Sequence, residues 1–103
     1  MPDKTTPYVL SAETEKDLAE IHDYTARTFG KPQAAVYLAG MEEKFHALAA
    51  QPELGRARNE IREGLRSLTY ERHMILYRTL PGKIRIVRVL HGGRDIPKQF
   101  QNE

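Results

Sequence analysis

The stretch Ile84, Arg85, Ile86, Val87, Arg88, Val89, Leu90, His91 constrains the fold most, because it is apolar on both parities of a strand. Such a strand has to be covered on both faces, or nearly so, and belongs inside a sheet rather than on its surface. It ends at Gly92-Gly93 and follows Pro81-Gly82, a turn dipeptide. The turn joins it as a hairpin to a second strand over residues 73–79, and residues 65–70 read as a third.

The half of the chain before Gly64 has a different period. Tyr8-Val9-Leu10 is a short strand-like run, and Ser11 then offers a helix N-cap. Glu13, Glu15 and Asp17 follow in the first turns, where the helix dipole favours acids. Leu18, Ile21, Thr25 and Phe29 share one stripe of this first helix, which Gly30 should end through a left-handed C-cap. Pro32 suits the first position of a second helix. There Ala34, Leu38, Met41, Phe45 and Leu48 make a continuous apolar seam, and Pro52 and Gly55 stop it. The tight Gly30-Lys31-Pro32 connection makes the helices an antiparallel hairpin. The pattern predicts an α+β fold: an N-terminal strand, an antiparallel helical hairpin, then a three-stranded antiparallel sheet. The hairpin covers one sheet face and leaves the other partly open.

A length of 103 residues suits one domain, with residues 1–6 and 96–103 expected as flexible tails. There are no cysteines, which suits a reducing cytoplasm and removes thiolate metal sites. No apolar run has signal-peptide or membrane-span length, so a cytoplasmic protein without a membrane partner is expected. His22, His46, His73 and His91 have no pairwise ligand spacing, so neither metal nor cofactor is expected.

Charge is unevenly distributed. Residues 1–55 hold five Lys/Arg against nine acids, whereas residues 56–103 hold eleven, nine of them arginine, against five acids. Arginine's planar fork matches carboxylate and phosphate, so the second half points to an anionic partner.

An ordered set of motifs over residues 8–95 resembles ParE-type toxins of the RelE/ParE superfamily. It comprises Tyr8-Val9-Leu10-Ser11, Asp17-Leu18 with Ile21, Phe29-Gly30, Gln33-Ala34 and Tyr37. It continues with Pro52, Gly55-Arg56, Glu60-Ile61-Arg62-Glu63-Gly64-Leu65-Arg66, His73, Tyr77-Arg78, Val87-Arg88-Val89-Leu90-His91 and Asp95. The resemblance implies the same fold, a toxin that inhibits growth, a neutralising ParD-type antitoxin and, as for many members, DNA gyrase as target. It implies no direct sequence-specific DNA binding by this chain. Target or antitoxin would meet the basic half, at Arg56, Arg58, Arg62, Arg66, Arg78, Arg88 and Arg94.

The superfamily also contains ribosome-dependent messenger-RNA nucleases, and their chemistry can be looked for. Metal-free RNA cleavage needs a base, an acid and cations for the phosphorane charge. His91 could serve as acid or base, with Arg85 and Arg66 as cations. Strand parity puts Arg88 with Ile84, Ile86 and Leu90, and His91 with Arg85, Val87 and Val89, unless a bulge intervenes. Arg85 and His91 are then the natural pair on this strand, and Arg88 is separated from both. Lysine is absent from residues 56–82, unlike the nucleases' basic cluster. The expectation is a protein-binding inhibitor rather than a catalyst, with the nuclease, and a non-toxic binding module of the same fold, as alternatives. Glu60 is expected in a structural ion pair with Arg78 or Arg88, since a carboxylate among so many arginines finds one.

Overall fold

A computed structural model describes residues 8–92 and 96–99. The chain runs β1 (Tyr8–Leu10), α1 (Ala12–Phe29), α2 (Lys31–Ala50), a single 3-10 turn (Pro52–Leu54), β2 (Arg56–Ala57), β3 (Arg66–Tyr70), β4 (His73–Leu80), β5 (Lys83–His91) and α3 (Ile96–Gln99). The strands form one mixed sheet in the order β1-β5-β4-β3-β2. Three strands were expected in it. The sheet gains β2, whose two residues lie between Gly55 and a loop and carry no periodicity to read. It also gains β1, which pairs in parallel with β5 through Tyr8 to Ile84 and Leu10 to Ile86. β5 is therefore central, flanked by β1 and β4, as its two-sided apolar pattern requires.

The helical hairpin covers one sheet face. Met41, Phe45 and Leu48 of α2 and Ile21 of α1 pack with Ile75, Tyr77, Ile84, Ile86 and Val89. Phe29 lies off this core at 62% exposure. Gly30 does end α1 with a positive φ of 98°, but its ψ of 156° lies outside the left-handed helical region. That conformation is open essentially to glycine alone. It lets Gly30 donate to Ala26 O and accept from Ala34 N in one reversal of direction.

A second, smaller core occupies part of the opposite face: Leu65, Leu76, Val87, Leu90 and Ile96, with Ile61 and Met74 against it. Ile96 is 5% exposed at the start of α3 and belongs to the second core, so residues 96–99, expected as tail, are held to the sheet there. Residues 1–6 and 100–103 lie outside the described residues.

A bulge in β5 decides which residues reach which core. Leu76 faces Arg88 but Tyr77 faces Ile86, so Val87 is an extra residue on β5. The parity of β5 switches there. Ile84 and Ile86 before the bulge share the hairpin side with Val89 after it, while Val87 and Leu90 join the second core.

Beyond Leu10, β1 no longer covers the outer edge of β5, and the start of α1 takes over. Ser11 N donates to Ile86 O. Thr14 Oγ1 donates to the same carbonyl at 3.0 Å, and Ser11 Oγ lies 2.8 Å from Val87 O. Asp17 accepts from Val89 N at 3.0 Å. Ser11, Thr14 and Asp17 are all buried, at spacing three on one face of the helix. A helix thus finishes an edge that would otherwise bury unpaired peptide groups. Replacing Thr14 by valine keeps the shape and removes one buried hydroxyl bond. The expected cost is about 1 kcal/mol, read as a fall in Tm of roughly 4–8 °C in a thermal melt.

Candidate functional site

The arginines of the second half separate into those consumed by the fold and those presented. Arg88 belongs to the fold. Its Nε and Nη2 reach the two oxygens of Asp17 at 2.8 Å each, a bidentate pair. Arg88 is held protonated beyond its ordinary range chiefly by that hydrogen bond. Arg58 is also drawn in: Nε donates to Glu60 at 2.7 Å, and Nη1 reaches Ser67 Oγ and Met74 Sδ. Arg66 Nη2 donates to Gly55 O.

The ion pair expected between Glu60 and Arg78 or Arg88 forms elsewhere. The turn after Arg58 folds Glu60 back on that residue, two positions away, and Arg58 lowers the Glu60 carboxyl below its usual range. Arg78 still ties this loop to the sheet, but through Glu63 O at 2.7 Å. Arg56 on β2 and Arg85 on β5 are exposed, and Arg62 is half-buried. Arg94 lies outside the described residues.

Gly55, the helix stop and the start of the Gly55-Arg56 motif, is buried, and a Cβ there would collide with the Tyr77 hydroxyl and with Ser67 O. Its N–H donates to Tyr77 Oη at 3.0 Å, and that hydroxyl donates to Pro52 O. Tyr77 is fully buried and locks the α2–β2 connection against the sheet.

The nuclease set does not assemble. His91 faces His73 across the β4–β5 ladder, on the side of α2. Arg85 precedes the bulge, faces Arg78, and lies on the opposite side. The parity that grouped Arg85 with His91 fails because Val87 adds one residue between them. Arg66 pairs with Tyr77 on the far side of β4 and is engaged with Gly55.

His91 instead ends a row that the sequence did not reveal, because its members come from three elements. His73 and His91 rings lie 5.8 Å apart, and Tyr37 Oη lies 2.7 Å from His73 Nδ1. Tyr70 donates to Tyr37 O at 3.0 Å. Among the described residues, no three His, Cys, Asp or Glu side chains gather as a metal site. No helix among them is long and apolar enough to cross a membrane.

The family model for ParE toxin of type II toxin-antitoxin system, parDE, matches residues 8–96. The chain belongs to the ParE toxin family. It is 40% identical over 94 residues to Toxin ParE1 of Mycobacterium tuberculosis, covering 90% of this chain and 96% of that one. It is 33% identical to Toxin ParE of Escherichia coli over 92 residues, covering 88% and 89%. The fold also matches a chain of the chromosomal ParDE TA system from P. aeruginosa, with a TM-score of 0.72 at 22% identity over 82% of this chain and 92% of that one.

Two measurements follow from this geometry. Asp17→Ala removes both the bidentate carboxylate that Arg88 grips and the acceptor for Val89 N. The expected loss is about 2–4 kcal/mol, reduced from a fully buried pair because Arg88 keeps 20% exposure. Arg88→Ala alone should cost less, and a double-mutant cycle in urea reads the coupling. The second concerns pH. Burial first, then His91, lower the His73 pKa from its ordinary 6.5, with Asp17 opposing. The folded state therefore binds this proton less readily than the unfolded one. The stability it contributes is complete above pH 6.5 and is lost as pH falls below that value toward the depressed folded pKa. Between pH 7.5 and pH 5, on the order of that window, His73→Gln should show a flatter Tm profile than the parent.

Proposed function

We propose that this chain arrests growth by binding DNA gyrase, without catalysis of its own, and that a ParD-type antitoxin neutralises it. The observation that carries the non-catalytic reading is the separation of His91, Arg85 and Arg66. An acid–base group and its cations have to converge within hydrogen-bond reach of one phosphate. Here the bulge sends the first two to opposite faces, and the third is spent on Gly55 O. The antitoxin follows from the parDE family description and from the ParDE system in which the structural neighbour was solved. The gyrase target rests on the resemblance to ParE toxins, whose motifs this chain carries from Tyr8 to Asp95.

The test runs the purified chain in two assays side by side, gyrase supercoiling and messenger-RNA integrity in a translation extract. The expected result is lost supercoiling with intact message. Cleaved message with untouched supercoiling would establish the ribonuclease instead. His91→Gln should retain full growth arrest on induction.

A further inference from the structure

His73 and His91 stand directly opposite each other on β4 and β5. Just beyond them Gly92 N donates to Arg72 O at 2.8 Å, so Arg72 and Gly92 form a hydrogen-bonded pair of the ladder. Such pairs alternate with non-hydrogen-bonded ones, where the strands and their side chains come closer. His73 and His91 occupy a pair of the closer kind. Their rings lie 5.8 Å apart at 71°, edge to face. Two imidazoles bound to one tetrahedral ion, each through a nitrogen at about 2.0–2.1 Å, put their ring centroids roughly 5–6 Å apart. The pair therefore already has the separation of a chelate.

A third element holds it. Tyr37 Oη on α2 lies 2.7 Å from His73 Nδ1, and the two rings meet at 5.7 Å. α2 comes this close because Gly40 has no Cβ to collide with the Tyr70 hydroxyl, which donates to Tyr37 O. When Nδ1 carries the His73 proton it donates to Tyr37 Oη, and the Nε2 lone pair is left for a metal. A hydrogen bond at the second ring nitrogen is the usual companion of a metal-bound histidine, where it fixes tautomer and ring orientation. His91 is exposed, so an ion reaches the pair from solvent.

We propose that His73 and His91 form a two-imidazole site for a borderline divalent transition metal, Zn2+ or Ni2+, with Tyr37 as a positioning residue for His73. Nitrogen donors select these ions over Mg2+ and Ca2+, which take oxygen. Asp17, the carboxylate that acts electrostatically on His73, is gripped by Arg88. The ion's remaining positions therefore go to water or to a donor from a bound protein. Sequence spacing hides the pair, since its members sit at opposite ends of the β4–β5 hairpin.

The full chain, stripped with EDTA, is titrated with Zn2+, Ni2+ or Mg2+ at about pH 7.5, where ordinary imidazoles are mostly neutral. Histidine ring signals are followed by NMR alongside a thermal melt. Zn2+ is expected to move the His73 and His91 signals together, to leave His22 and His46 in place, and to raise Tm. Ni2+ should broaden the same signals, and Mg2+ should change nothing. His73→Phe and His91→Phe keep a ring in the row, yet each should weaken Zn2+ binding on the order of tenfold or more, and Tyr37→Phe about tenfold. His91→Gln, at an exposed position, does the same without disturbing the core. Equal Zn2+ affinity in the parent and in His91→Gln overturns the proposal. So do shifts spread over all four histidines, or confined to one member of the pair. Unchanged affinity in Tyr37→Phe overturns the positioning role.

Discussion

The hydrogen bonds from Ser11, Thr14 and Asp17 to the outer edge of β5 carry more of this architecture than their number suggests. β5 is the strand against which both cores are built, yet its parallel neighbour β1 spans three residues. Past Leu10 the carbonyls of Ile86 and Val87 and the amide of Val89 would be buried without partners, each at a cost of about 1–3 kcal/mol. Three polar side chains at helical spacing meet them, and the same contact fixes where α1 sits on the sheet. Since α2 turns back through Gly30, placing α1 also places Met41, Phe45 and Leu48 over Ile75 and Tyr77.

Asp17 links this edge to the charge problem of the second half. A carboxylate accepting from a backbone amide has capacity left over, and Arg88 takes it with both arms. One acid from the acidic half thereby neutralises one arginine of the basic half across the sheet. Arg58 and Glu60 repeat the arrangement locally, and Arg66 uses a carbonyl. Net charge therefore overstates what the surface offers. The cations exposed to a partner are fewer than the sequence suggests.

Much of the fold is legible in the sequence because its signals are local. The cap at Ser11, the stop at Gly30, the seam from Ala34 to Leu48 and the Pro81-Gly82 turn each depend on neighbours a few residues away. What escapes reading depends on distant partners. β2 exists only because Arg56 and Ala57 meet Ser67 and Arg66. Asp17 reads as a dipole-favoured acid, but its place three residues after Thr14 and six after Ser11, beside Leu18 and Ile21, was a signal: a polar stripe on the side of α1 that must be buried. The Tyr37–His73–His91 row gives no such signal, since α2, β4 and β5 each supply one member. Glu60 shows the reverse error, where a long-range partner was sought and the turn supplied one two residues away.

The bulge at Val87 connects these strands of argument. In a regular β5, Val89 would turn away from the hairpin core and Arg88 toward it, burying a guanidinium among Ile75, Ile86 and Met41. One inserted residue restores Val89 to that core, gives Val87 and Leu90 to the second, and lets Arg88 reach over the edge to Asp17. It also rotates His91 relative to Arg85. The packing requirement of a strand covered on both sides is thus enough to divide an acid–base group from a neighbouring cation. In this chain the spacing that satisfies the two cores puts Arg85 and His91 on opposite faces, and it leaves Arg85 beside Arg78 on the side of the sheet that the α1–α2 hairpin does not cover.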